Sequence, residues 1–372
     1  MAPTLFSIYF SVLLNFAFGE CENGVYLRTR SDGSLFNIAR LRSYRRAEMV
    51  LCRELLFADD VALVAHEEHA LKRLINKLSH ACDVFSLEMC ISKTEVLVQG
   101  ANEDPAITLN GSQLAVVDKF TYLGSVMSKG GFMEDEVNTR IGKAAAAFGK
   151  LIRRAWTNGK LTMKTKMLIY QSCVLSSLMY GSESWTLYSR QEKRLNSFHL
   201  RCLRKILSIK WQDKITNVEV SRCAGLPTVF EMLKERRLRW LSHVYRMDDD
   251  RLPRKILYAE LAEGRRPIGR PKLRYKDVYR ATLKKFEVNL ENWEEVAADR
   301  SRWRSTVQGG VERYRTRWTQ RETQRRQRRH APDQQEGERQ FQCTYCGRLC
   351  RANIGLISHE RLCRFGGNQL GL

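Results

Sequence analysis

Leu55-Leu56-Phe57-Ala58-Asp59-Asp60-Val61-Ala62-Leu63-Val64 sets two adjacent aspartates between two short apolar runs. Apolar runs of this length, bounded by polar residues, read as strands. With the carboxylates at the bend, the element is a β-hairpin with an acidic tip. Two neighbouring carboxylates repel each other. A cation between them removes the conflict, and hard divalent metals prefer oxygen ligands. A lone Asp-Asp is also an ordinary solvated turn, so the surroundings decide.

Downstream, His66 to Phe85 has apolar residues at Ala70, Leu71, Leu74, Ile75, Leu78, Ala81 and Val84, which is helical spacing for a helix that covers a sheet. Ile107 to Leu114 contains Asn110-Gly111, the pair suited to a type I′ hairpin turn. Val116 to Ser125 supplies further strand residues, and Gly124 there permits close backbone approach. Upstream, Ala2 to Leu14 reads as a helix, and Thr29 to Arg46 as a polar segment. Leu5 to Gly19 also has Ala17 and Gly19 placed like a signal-peptide cleavage site. No Lys or Arg precedes it, so the basic start of a signal peptide is lacking. The run is short for a membrane span.

Phe57-Ala58-Asp59-Asp60 resembles the metal-binding box of reverse transcriptases, in the form found in non-LTR (LINE-type) retrotransposons. Ala2-Pro3-Thr4-Leu5-Phe6-Ser7-Ile8-Tyr9-Phe10 resembles the tail of the box before it. Leu87 to Glu95, with Lys93-Thr94-Glu95, resembles the box after it, and Phe120-Thr121-Tyr122-Leu123-Gly124-Ser125 the primer-grip hairpin. The resemblance implies that Asp59 and Asp60 hold magnesium, that Lys93 lies near the nucleotide phosphates, and that Tyr122 and Gly124 seat the primer. Two-metal phosphoryl transfer needs carboxylates from two places. In the family a third aspartate lies upstream of the box that Met1 interrupts. The expected chain is therefore the carboxy-terminal part of such an enzyme, inactive alone. It is an RNA-directed DNA polymerase only if the amino-terminal half is supplied in a longer product or by a separate chain.

The chain has 372 residues, room for two or more domains, and a net charge of +22. That excess points to a polyanionic partner, here RNA or DNA held mostly by its backbone with low sequence specificity. No amphipathic anchor or lipidation signal marks a membrane partner. The cysteines number eleven, an odd count, with seven scattered singly and four near the end. This fits a reducing compartment and one metal site rather than a disulfide frame. The expected location is nuclear, with the cytoplasm as a second place.

From Asp135 to Arg246 the pattern is helical, with capping boxes at Ser189–Glu192, Thr216–Glu219 and Thr228–Glu231. Its basic residues and interleaved aromatics match the family's thumb. Leu233 to Met247 resembles a segment found after the thumb in related elements; His243 within it reads as a packed or capped histidine. Gly264 to Lys272 contains Gly269-Arg270-Pro271, similar to an AT-hook and equally a basic linker. Trp293, Trp303 and Trp318 read as packing residues. Arg313 to Arg329 is an arginine-rich arm, and residues 331–340 read as a disordered linker. Candidate phosphate contacts on the arm are Arg313, Arg315, Arg317, Arg325, Arg326, Arg328 and Arg329, joined by Arg270.

Cys343-Thr344-Tyr345-Cys346 is followed by His359 and, three residues further, by Cys363. This C-x-x-C…H-x-x-x-C spacing is a zinc signature: a tight turn offers two thiolates and a helix offers two more ligands on one face. Phe341 and Leu356 stand where a ββα finger keeps its small core, and Cys350 where that core usually has phenylalanine. Cys350 is either a buried thiol or a competing ligand. A closed four-ligand set makes the zinc structural. The base-reading positions hold Ala352, Gly355 and Ser358, none a bidentate base reader.

The expected fold is α+β. A truncated reverse-transcriptase palm of antiparallel hairpins plus helices takes residues 1–126, and a helical thumb-like region takes 127–250. A basic helical connector follows over 251–310. The arginine-rich arm and linker take 311–340, and a ββα zinc finger 341–364. A host zinc-finger module that binds nucleic acid or protein is the remaining alternative.

Overall fold

Apolar spacing places the first helix, α1 (Ala2–Phe18), longer by a turn than the sequence suggests. The computed structural model describes residues 2–30, 34–41, 43, 45–100, 103–263, 272–330, 341–350 and 353–366. After α1 come β1 (Val25–Thr29), the short α2 (Ile38–Leu41) and β2 (Glu48–Cys52), with β1 and β2 antiparallel. The acidic hairpin is β3 (Glu54–Phe57) and β4 (Asp60–Leu63). It is followed by α3 (Glu68–Val84), which buries Leu74, Leu78 and Ala81 against Leu13, Ala17 and Phe18 of α1. The opposite side of α1 is not covered: Leu5, Ile8, Val12 and Phe16 are exposed. No helix among the described residues is long and apolar enough to cross a membrane.

Next come β5 (Glu95–Leu97), the small hairpin β6 (Thr108–Leu109) with β7 (Ser112–Gln113), and β8 (Ala115–Val117). Asn110 and Gly111 turn that hairpin with φ of +49° and +78°, the left-handed pair a type I′ turn needs. One expectation fails here. Antiparallel hairpins are expected over residues 1–126, yet β5 and β8 pair in parallel, because the β6–β7 hairpin intervenes and returns the chain in the same direction. β9 (Lys119–Tyr122) and β10 (Ser125–Ser128) form the next hairpin.

The chain then turns helical: α4 (Met133–Lys150), α5 (Met163–Ile169), α6 (Ser176–Leu178), α7 (Ser189–Ile206), α8 (Asn217–Ala224) and α9 (Val229–Tyr245). Thr216 and Thr228 cap α8 and α9, each hydroxyl accepting from the backbone N–H three residues on. The cap expected at Ser189 is shifted. Tyr188 precedes the helix, and its N–H donates to Gln191 Oε1, because Glu192 is engaged with Arg237 across the bundle.

α9 is the spine. Its start (Val229, Met232, Leu233) completes the core of α4 to α8, and its end (Leu238, Leu241, Val244) opens a second core. That second core gathers α10 (Leu252–Tyr258), α11 (Tyr275–Phe286), α12 (Trp293–Ala298) and the first half of α13 (Arg300–His330). Trp293 and Trp303 are buried in it, as packing residues should be. Between α10 and α11, β11 (Glu260–Leu261) pairs with β1, giving a three-stranded sheet β11-β1-β2. Thus residues 251–310 are stitched to the amino-terminal segment. The stretch read as merely polar, Thr29 to Arg46, sends Leu35 and Leu41 into the second core, at 0% and 1% exposure. Two leucines among arginines give no periodic signal, so their burial was not legible.

The chain divides into two compact units, residues 1–316 and 317–372. In the second, β12 (Phe341–Gln342) and β13 (Leu349–Cys350) pair antiparallel ahead of α14 (Asn353–Gly366). Residues 264–271, with Arg270, and the linker 331–340 lie outside the described residues.

Candidate nucleic-acid interface and metal centre

The acidic hairpin turns through Ala58 and Asp59, with Phe57 opposite Asp60. Ala58 adopts φ of +54°, a left-handed conformation that costs an L-residue about 1–2 kcal/mol. Asp59 and Asp60 are both exposed, so a solvated ion can reach them.

The second hairpin meets the first. Tyr122 donates its hydroxyl to Leu55 O at 2.9 Å. Burial, and then the negative charge of Asp60, push the Tyr122 phenol pKa up. Leu123 and Gly124 turn the hairpin with φ of +48° and +77°. A Cβ on Gly124 would lie 3.8 Å from Tyr180, an ordinary contact. The backbone angle therefore selects glycine there, and close approach, the expected reason, does not.

A buried ion pair fixes this hairpin to the helical bundle. Arg140 and Glu136, one turn apart on α4, bond at 2.7 Å with side chains 5% and 2% exposed. Glu136 Oε2 accepts from Val126 N at 2.7 Å, and Arg140 donates to Gly124 O. Arg140 also lies 4.5 Å from the Tyr180 ring centroid, while Tyr180 donates to Leu123 O at 3.0 Å. Sequence alone singles out neither Glu136 nor Arg140, and gives Tyr180 only as one of the aromatics interleaved with the basic residues. The i,i+4 spacing of Glu136 and Arg140 was the available signal, but its burial was not visible.

Lys93 ends a short helical turn, Ile91–Lys93, and is exposed. His243 is exposed, its ring tilted against that of Trp240 with centroids 5.4 Å apart. The arginine-rich arm is helical, the continuation of α13. Arg313 pairs with Glu287 at 2.9 Å and Arg315 with Glu231 at 2.9 Å, so intramolecular carboxylates take two of the expected phosphate contacts. Arg317 is half-buried; Arg325, Arg326, Arg328 and Arg329 are exposed.

In the second unit, the ligand atoms of Cys343, Cys346, His359 and Cys363 all lie within 4.8 Å of one another. The β12–β13 hairpin presents the two cysteines: Cys343 N donates to Arg348 O at 2.9 Å and Gly347 N to Cys343 O at 3.0 Å, with Gly347 at φ of +72°. α14 presents His359 and Cys363 one turn apart. Cys346 Sγ lies 3.0 Å from His359 Nε2. The Arg348 backbone N–H, then His359, lower the Cys346 thiol pKa to about 6. Sharing a proton with that thiolate raises Cys363 to about 11. This donor set, one soft thiolate cluster with an imidazole, suits a tetrahedral metal ion such as zinc. Cys350 sits on β13 opposite Phe341, half-buried and outside the four-atom cluster. Glu360 Oε1 accepts from Thr344 N and Oγ1 at 3.2 and 3.0 Å, tying the helix to the cysteine turn.

No family model matches this chain. Over 265 residues it is 26% identical to an uncharacterized, transposon-derived protein of Caenorhabditis elegans, an alignment covering 68% of this chain and 94% of the nematode protein. The likeness fits a transposon-related origin.

Proposed function

We propose that the chain is a nucleic-acid-binding part of a non-LTR retrotransposon reverse transcriptase that carries a structural zinc finger. The observation that carries this reading is the meeting of the acidic hairpin and the Tyr122 hairpin through the Tyr122–Leu55 bond. A polymerase needs its metal carboxylates beside the seat of the primer end, and the family's two boxes are the ones that touch. The four-ligand cluster supports the finger, with Cys343, Cys346, His359 and Cys363 holding zinc and giving it no open position for catalysis.

On this reading Asp59 and Asp60 supply one side of a two-magnesium site, and phosphoryl transfer requires a further carboxylate from another segment. The chain binds primer–template and does not extend it alone. A primer-extension assay with magnesium tests this: no product is expected from the 372 residues, and synthesis abolished by Asp59→Ala would refute it. A second reading, an active polymerase completed by a separate chain, is favoured by the exposed apolar face of α1 at Leu5, Ile8, Val12 and Phe16. Adding the amino-terminal half in trans should then restore synthesis. The nuclear location remains part of the proposal.

A further inference from the structure

α9 and α13 lie side by side in the first unit, pinned where Trp303 Nε1 donates to Leu238 O at 3.1 Å. Between them runs a cleft of about 800 Å³. Its floor is apolar, made by Trp303, Val307 and Val311, and its rim is charged. On the rim, Arg239 and His243 from α9, with Arg246 just after it, face Arg300 and Arg304 from α13. The carboxylates that line it are Glu235 and Glu312, at the end where Arg315 is already paired with Glu231. By helical rise the cleft extends for ~20 Å.

The basic end is short of counter-charge. Arg246 donates through Nη1 to Ala297 O at 2.6 Å, yet its buried Nε has no partner. Burial, and then the like charge of Arg300, lower the Arg246 pKa. A buried guanidinium N–H without a partner, in a cleft that Arg300 also lines, is relieved by an anion seated there. The length of the cleft and its row of cations match a string of phosphates better than a single one.

We propose that the α9–α13 cleft binds the phosphodiester backbone of a single nucleic-acid strand, separately from the hairpin site and the finger. This deepens the nucleic-acid reading above and rests on it. Arginines at spaced positions along two rigid helices contact successive phosphates, and the apolar floor excludes water without reading bases.

The test uses the full chain with zinc and a fluorescein-labelled 12-nucleotide oligouridylate. Arg239, Arg300 and Arg304 are exposed, so the triple change R239Q/R300Q/R304Q should leave folding intact. The control, K77Q/K143Q/K284Q, removes the same charge at exposed positions that do not line the cleft. The cleft variant should lose at least tenfold in affinity at 50 mM salt and flatten the log–log salt slope by about 2, while the control changes little. In the unaltered chain, 4-thiouridine RNA should crosslink to peptides spanning 239–246 and 300–308. Equal affinities for both variants, or crosslinks confined to other peptides, overturn the cleft while leaving the nucleic-acid reading standing. No binding by the unaltered chain at 50 mM salt overturns both.

Discussion

His199 is fully buried, with Nδ1 2.8 Å from the Tyr170 hydroxyl. Desolvation lowers its pKa to about 4, so the folded protein holds it neutral. The unfolded chain takes up a proton below about 6.5, and the folded chain does so only near 4. Stability is therefore lost as pH falls through that interval, by on the order of 3 kcal/mol from this group alone. His199→Gln should flatten the stability-against-pH curve there in urea unfolding; an unchanged slope would mean the ring is not neutral in the fold. Arg140 and Glu136 make the second residue-scale case. Removing either leaves a buried charge alone, at a cost of about 3–5 kcal/mol. Arg140→Ala should thus lower the unfolding midpoint sharply, whereas an exposed pair such as Arg222–Glu219 should hardly matter.

At the scale of elements, local chemistry was legible and partnership was not. Asn110-Gly111 announced its turn, the α3 spacing announced its buried face, and two of three threonine- or serine-led caps stand where read. The third slipped by one residue because Glu192 found a better partner in Arg237, a contact between α7 and α9 that spacing cannot reveal. The pairing of β11 with β1 joins residues more than two hundred positions apart, so no window of sequence contained it. The cluster of Cys343, Cys346, His359 and Cys363 was legible because both pairs sit at local spacings, and folding needed only to bring a turn to a helix. The unit formed by residues 341–366 is so small that metal binding should drive its folding. Its hairpin and α14 should unravel in chelator and reform with zinc, read by NMR of the intact chain with residues 341–364 segmentally isotope-labelled. Cobalt should give the visible absorption of a tetrahedral thiolate site, which Cys343→Ser weakens. A finger that keeps its structure in chelator would contradict the assignment.

At the scale of the whole molecule, α9 joins two cores, and its buried Glu231, Lys234 and Arg237 lie where they meet. Lys234 is 1% exposed beneath the Tyr314 ring, and burial lowers its pKa to about 8. Such charges are legible as letters but not as interior residues, because a basic chain hides a few buried cations among many exposed ones. The surplus of +22 spread over the surface predicts backbone-dominated binding. Affinity for RNA or DNA should fall by about 10³-fold or more between 50 and 200 mM salt and vary little with sequence, measured by fluorescence anisotropy. A sharp preference from in-vitro selection would contradict this. The most direct measurement places the primer itself. A primer–template with a photoreactive 3′-terminal nucleotide, irradiated with the full chain, should crosslink to the hairpin peptide spanning residues 119–128, beside Asp59 and Asp60. Crosslinks only to the finger or to the arm, with that hairpin unlabelled, would contradict a polymerase-derived primer seat.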